Sequence, residues 1–445
     1  MSEQSNNQAD VVIVGGGLGG LATAARLGQA GLRVIVCERA STPGGRGRTI
    51  DRDGFALNLG PHALYTAGPG TTMLRSLGIE PRGRRPDGRG FVIRDQHPHV
   101  TPASPLTMMS TSLLELRGKF ELMRFLGRVG RISCIGLERL SAAQWLTREI
   151  ASPDLRRLLA AFVRIASFCD ELDTLSADAA VAQLQLATRG VLYLDGGWQQ
   201  LVDALVERCT AAGVELRYDA RVTSVGRSDT SRWAVQLSDR TLACEQLVVA
   251  GSPALADSLL GPVLGGPRFA AGTRPLRLAA LDIGLRGPWP GPAAVFNLDE
   301  PIYLSQFSKF AAVAPEGHSL LSLAWYRRDC DDEIPAAQLR ARLEHSIRRW
   351  LPDYRSALTV EQFLPEMVVA HDRPQPGRGG LRGRPSPWVG EGLFVVGDWV
   401  GDHGQLLDAS LASAATVCER VLADSARATG PEGVAISGGV VAGGR

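Results

Sequence analysis

Val11-Val12-Ile13-Val14-Gly15-Gly16-Gly17-Leu18-Gly19-Gly20 decides how this chain folds. Four apolar residues enter a glycine turn. Leu18-Gly19-Gly20-Leu21-Ala22-Thr23-Ala24-Ala25-Arg26-Leu27 leaves it with small and apolar residues at helical spacing. Gly31 closes that helix, and Leu32–Cys37 forms a second strand. Between an apolar strand and a helix, G-x-G-x-x-G has a mechanical meaning. Gly15 makes the tight turn, Gly17 lets the backbone approach a diphosphate, and Gly20 lets helix and strand pack closely. The helix that opens at Leu18 and Gly19 offers free N–H groups and the positive end of its dipole to the same diphosphate. Glu38, followed by Arg39, ends the second strand where a carboxylate can accept both hydroxyls of a ribose.

That turn suits NAD and FAD alike. Pro43-Gly44-Gly45-Arg46 separates them: two adjacent glycines allow backbone contact with the diphosphate, and Arg46 adds a charge-assisted donor. Near the other end stands a second signature, Leu393-Phe394-Val395-Val396-Gly397-Asp398-Trp399. With these residues the chain resembles the flavoprotein superfamily of phytoene desaturases, protoporphyrinogen oxidases and monoamine oxidases. Within it, the chain is most similar to bacterial phytoene-desaturase-like members, over most of its length to about residue 425.

The resemblance implies an α/β fold. A Rossmann-type FAD-binding domain assembled from discontinuous segments (1–75, 195–260 and 385–428) is expected. An α+β substrate domain of mixed sheet and helices (76–194 and 261–384) accompanies it, and 429–445 is expected to be a disordered tail. It also implies site residues. Gly44, Gly45 and Arg46 touch the FAD phosphates, with Arg48 and Thr49 as second choices. Asp195-Gly196-Gly197-Trp198 leads back into the FAD domain. Val222, or alternatively Val225, offers backbone groups to adenine, unless this is a plain amphipathic strand. Gly397-Asp398 serves the ribitol and phosphate end. Leu406-Leu407 opens the last helix, whose N–H groups face the flavin pyrimidine. Gly60-Pro61-His62, after Leu59, runs past the isoalloxazine ring. Asn58 stands where an aspartate is frequent.

Three side chains are candidates for the chemistry. His62 reads as a proton shuttle, with an ordinary pKa near neutrality, or as a histidine bonded to backbone beside the ring. His403 and its neighbour Trp399 line the site or serve capping and packing. Tyr303 points into the pocket or belongs to the core. The segment where monoamine oxidases attach flavin covalently holds no cysteine, so the FAD is expected to be non-covalent. The stretch that would carry the amine-oxidase lysine, Arg274–Ala279, has none; the two lysines are Lys119 and Lys309.

Composition narrows the rest. The chain has 445 residues, 44% hydrophobic and 21% charged, with a formal net charge of +2. That balance, without a basic cluster, gives no reason to expect a nucleic-acid partner. Seven scattered cysteines without a C-x-x-C fit reduced thiols in a cytoplasmic compartment, and neither a signal peptide nor a membrane span is read. Residues 106–192 read as helical with a break at Ser152-Pro153, and strands are expected at 214–218, 222–225, 233–237, 247–250, 277–285, 303–307 and 319–326. Pro374–Pro387 reads as a loop. Residues 106–132 mix exposed-type apolar residues with Arg117, Lys119, Arg124, Arg128 and Arg131. Helices that cover the substrate pocket explain them, and so does a peripheral membrane contact.

The leading expectation is an FAD-dependent desaturase-like or dehydrogenase-like oxidoreductase. It would move hydride between flavin N5 and a C–C or C–N bond of a hydrophobic small molecule, with oxygen, a quinone or another protein as electron acceptor. The alternatives are an oxygen-using oxidase of an amine or porphyrinogen-like ring, and a non-enzymatic binding protein like the Rab GDP-dissociation inhibitors. Substrate, direction of hydrogen transfer and oligomeric state are left open by the sequence.

Overall fold

The computed structural model of the chain describes residues 7–429. The tail expected to be disordered lies, from residue 430, outside the described residues.

Strand Gln8–Val14 is the axis of the first sheet. It pairs in parallel with Val34–Cys37 on one side and Thr241–Val249 on the other, so that Val12 sits opposite Ile35 and Leu247. Glu215–Arg217 continues the parallel array beyond Val34–Cys37, and Leu393–Val395 pairs in parallel with Leu247–Val249. Five parallel strands thus come from three distant parts of the chain. Val11–Val14, Val34–Cys37, Leu247–Val249 and Leu393–Val395 are unbroken apolar runs because both faces are buried. Val11 and Ile13 point into a core formed by helices Leu18–Gln29, Gln199–Ala211 and Leu406–Thr429. Val12 and Val14 point into another, with strands Ser224–Arg227 and Trp233–Gln236 and helix Pro253–Leu264.

The second sheet has seven strands in the order Leu358–Ala370, Leu276–Arg286, His318–Arg327, Ile302–Gln306, Ala294–Asn297, Phe91–Arg94, His97–Val100. One face, with Leu281, Ile283, Leu323 and Trp325, packs on helix Ala336–Arg348. The other, with Leu278, Ala280, Ala324 and Tyr326, turns toward the rest of the molecule. Between Pro105 and Arg189 lie five helices, and their core joins the edge of this sheet through Leu276, Phe296 and Ala370. The break expected at Ser152-Pro153 is a helix start: the Ser152 hydroxyl accepts the Leu155 N–H and Pro153 fills the first helical position.

The sequence reading missed several strands, Phe91–Arg94, His97–Val100 and Ala294–Asn297 among them, and two cases show why. The strand expected at 247–250 is, as far as Val249, the end of a nine-residue strand, Thr241–Val249. Its first half alternates because it pairs with Trp233–Gln236 and has one face exposed; its second half is buried on both sides. Leu358–Ala370, thirteen residues long, was not anticipated. Its bulges against Leu276–Arg286 and its Glu361, Gln362, Pro365 and Glu366 interrupt the alternation that marks a strand. Among the described residues no helix is long and apolar enough to cross a membrane.

Candidate functional site

The glycine turn is shaped by close approaches. Gly15 has φ +110°, and a Cβ there would collide with the Ala250 carbonyl oxygen; one on Gly20 would collide with that of Gly15. A Cβ on Gly17 would meet nothing within 4 Å, so this side of the turn is open. Gly17 is also the N-cap of helix Leu18–Gln29, and no side chain caps it. The first-turn N–H groups, those of Leu18 and Gly19 included, are therefore uncommitted to a cap. The Gly44 N–H donates to Gly16 O at 2.7 Å, which lays Gly44-Gly45-Arg46 against the same open side. Glu38 is held by two backbone donors, Gly16 N–H on Oε2 at 2.7 Å and Ala40 N–H on Oε1 at 2.9 Å. Each oxygen keeps a lone pair for a further donor. Ala220 N–H bonds Glu38 O, which brings buried Val222 beside that end; Val225 is buried in the next strand. The Arg39 side chain is exposed and meets nothing of this site.

Leu393–Val395 delivers Gly397 and Asp398 to the other flank. Arg46 Nη2 donates to Asp398 Oδ2 at 2.6 Å, and Nη1 donates to Val369 O at 2.7 Å. Asp398 Oδ1 accepts from the His371 backbone N–H at 3.2 Å and lies 3.0 Å from His371 Nδ1. Burial alone would raise the Asp398 carboxyl, but the Arg46 guanidinium and His371 hold it far below the usual carboxylate range. It is ionised at any working pH. The Arg46 side chain is 39% accessible, although Nη1 is engaged by Val369 O and Nη2 by Asp398. Gly397 N–H donates to Ser413 Oγ at 3.2 Å in the last helix. Arg384 then grips the following loop, donating to Asp398 O at 3.2 Å and Gly404 O at 2.8 Å; burial pulls its guanidinium down to about 10. His371 and Arg384 were not singled out by sequence reasoning. The available signal was the His371-Asp372-Arg373-Pro374 run at the end of a strand whose course was not recognised.

Gly60-Pro61-His62 approaches from a third direction. Gly60 abuts Met367 and Ala280 of the second sheet. His62 Nδ1 donates to Gly60 O at 2.8 Å, and the ring lies against Trp198, centroids 4.5 Å apart. That bond fixes the tautomer with Nε2 as an acceptor. Burial lowers the imidazole to about 4, so it is neutral near pH 7 and holds no proton for a shuttle working there. Asn58 is turned away: its Oδ1 accepts from Thr49 Oγ1 at 2.7 Å and Trp198 N–H at 3.0 Å, a framework role. Thr49 is spent in that same framework, and Arg48 reaches Thr42 Oγ1 at 3.0 Å. Leu406 opens the last helix at φ +57°, a strained value for leucine. Its side chain joins the helical core, while that of Leu407 joins the first-sheet core.

Other candidates are placed elsewhere. His403 is 77% exposed and paired with Asp402, so the structure does not bring it to this cluster. Trp399 is fully buried, bonded to Gly251 O at 2.9 Å and packed on Phe269. Tyr303 is half-buried on the inward face of the second sheet, its hydroxyl 3.3 Å from that of Tyr193. Lys309 is exposed beside Phe310, and no lysine lies on strand Leu276–Arg286.

The model of the flavin-containing amine oxidoreductase family matches residues 18–422. The chain belongs to that family. It is 29% identical over 297 residues to a phytoene dehydrogenase of Streptomyces griseus, covering 56% of each chain. It is 26% identical over 297 residues to a 4,4'-diapolycopene oxygenase of Methylomonas sp, covering 58% of this chain and 59% of that one. The chain thus spans somewhat over half the length of these curated relatives. An oxidoreductase structure from Methanosarcina mazei shares the fold, with a TM-score of 0.73 at 19% identity over 92% of this chain and 99% of that one.

The residues present fit the FAD that the family implies. An uncapped helix start, an open glycine turn, a fixed carboxylate and a partly accessible arginine match a ribose and a diphosphate. The buried Trp198 Nε1, Gln405 Oε1 and Asp408 Oδ2 have no partner among the described residues. Arg46→Ala removes a charge-assisted donor worth about 1.5–3 kcal/mol, so the Kd for FAD rises roughly 10- to 100-fold, measured by fluorescence titration. An unchanged Kd places the diphosphate elsewhere.

Proposed function

We propose that this chain is an FAD-dependent oxidoreductase of the desaturase or dehydrogenase type, acting on a C–C or C–N bond of a hydrophobic small molecule. One observation carries the reading. The sheet face that meets Gly60 is lined by Leu278, Ala280, Tyr326 and partly open Phe168, Tyr303 and Met367, with no charged side chain among these. Such a surface offers a substrate mainly apolar contact. FAD, when bound, supplies two-electron chemistry by taking or giving hydride at N5.

The chain's own groups divide the remaining work. Glu38, the glycine turn and Arg46 bind the nucleotide and diphosphate. His62 presents a neutral Nε2 acceptor. Burial raises the Tyr193 and Tyr303 hydroxyls, which stay protonated and act as donors. The absence of a lysine on Leu276–Arg286 disfavours amine substrates. Phytoene, named in the Streptomyces griseus relative, is a hydrocarbon, and the apolar lining of this face supports a substrate of that class. The family and the named relatives give the binding-protein reading no support. Anaerobic mixing with hydrophobic polyenes is expected to bleach the flavin band, and admitting oxygen or a quinone to restore it identifies the acceptor. Bleaching by small amines but by no hydrocarbon contradicts this reading.

A second observation concerns delivery. Leu106 and Met109 on helix Pro105–Ser110, and Leu116, Phe120, Met123 and Leu126 on helix Leu116–Arg128, are 48–80% exposed. Arg117, Arg124, Arg128 and Arg131 rim them. An apolar face with a cationic rim matches an anionic lipid surface, and we assign it to peripheral docking. The protein is expected to co-sediment with anionic vesicles, more weakly with neutral ones, and Phe120→Asp with Leu116→Asp to abolish binding without changing the circular dichroism spectrum. Equal recovery of variant and parent assigns these residues to another role.

A further inference from the structure

The inward face of the second sheet carries one polar row. Asp282 lies directly opposite Gln362 on one neighbouring strand and Ser322 on the other, and Ser322 lies opposite Ser305 on the next. Residues paired across antiparallel strands share a face, so these four side chains form a line across four strands. All are at least 95% buried, at 4, 5, 5 and 1% exposure.

Both ends of the row reach the site. Gln362 Nε2 donates to Asp282 Oδ2 at 3.2 Å and to Asn58 O at 2.7 Å, tying the carboxyl to the backbone that leads into Gly60-Pro61-His62. At the other end Ser305 Oγ donates to Tyr193 OH at 3.3 Å, and Tyr193 OH lies 3.3 Å from Tyr303 OH. The Ser322 hydroxyl faces the Asp282 carboxyl without reaching hydrogen-bond geometry and has no other partner among the described residues.

A lone carboxyl buried in a sheet interior is costly unless it serves a purpose. Here the neighbouring strands present only Ser322 and Gln362, the facing segment presents the Asn58 carbonyl, and no ion pair includes Asp282 among the described residues. The titratable groups further along this face are Tyr193, Tyr303 and Tyr326, which burial keeps protonated. Burial raises Asp282 to about 7, with Ser322 and Gln362 pulling the other way.

We propose that Asp282 is the proton store of the site, binding one proton at its free Oδ1 when the flavin is reduced and releasing it when the flavin is reoxidised. This rests on the function proposed above. A substrate that loses two hydrogens gives one to FAD as hydride and the other as a proton; FAD is the oxidant, and the proton ends on the Asp282 carboxylate. Asp282 touches neither ring nor substrate in this arrangement and is tied to the site through Gln362, which bonds both its carboxyl and Asn58 O.

Infrared difference spectra of photoreduced minus oxidised holoenzyme test this without substrate. A protonated carboxyl C=O band is expected on reduction, absent in Asp282→Asn and retained in Asp408→Asn, another buried carboxyl with a raised value. Ser322→Ala deletes a group that lowers Asp282, so the band persists and its titration midpoint moves up. Stability gives an independent reading. The folded carboxyl lies above its unfolded value, so its contribution is full below about pH 4 and is lost as pH rises through about 7. Wild type therefore loses Tm relative to Asp282→Asn across that window. A carboxyl band unchanged in Asp282→Asn, or a constant Tm difference, overturns the proposal. A sample without flavin absorbance sinks the reading beneath it instead.

Discussion

Everything at this site depends on parallel strand pairing around Gln8–Val14. Parallel neighbours cannot be supplied by a hairpin, so they arrive after long crossovers from residues 34–37, 241–249 and 393–395. The pairing ends all these strands at one rim. The glycine turn emerges from the first, Glu38 follows the second, and Gly397-Asp398 follows the last. The 2.6 Å Arg46–Asp398 bond joins groups 352 positions apart because the ladder leaves them no other place. Asp398 is 3% exposed, so removing Arg46 strands a buried charge whose only other side-chain partner in these bonds is His371.

The electrostatics divide the site in two. At the nucleotide end, charges are fixed: Asp398 is ionised, and Arg46 and the free helix N–H groups supply positive potential where a diphosphate would lie. Toward the pocket, groups are neutral near pH 7: His62 by desolvation, the tyrosines by burial. Charge in that half would be poorly solvated and would lose its remaining water when an apolar substrate covered it. Two buried carboxyls run against this, Asp408 raised to about 6 and Asp282 to about 7, and Asp282 is the one on the inward face of the second sheet.

What the sequence made legible was local. The strand, turn and helix of residues 11–27, the GGR segment and the GD at a strand end are contiguous signals, and each carries its chemistry within a few residues. His371, Arg384, Asp282 and Gln362 were not legible, because their places depend on which strands pair. Gln362 lies on a strand whose bulges and charged residues hid it, and Asp282 matters only once Asn58 is laid above it. His403 was proposed from nearness to Asp398 in sequence. Arg384 holds Asp398 O and Gly404 O together, and the loop between them turns His403 outward. His62 was read from its ordinary pKa, which burial overrides.

The visible spectrum of the purified protein, before and after acid precipitation, tests the central claim most directly. Oxidised-flavin bands in the native sample, released into the supernatant as FAD, are the predicted result, since the cleft contains no covalent attachment signal. A colourless protein that also refuses added FAD would contradict the account, because a glycine turn, a fixed Glu38 and a poised Arg46 would then have no ligand to explain them.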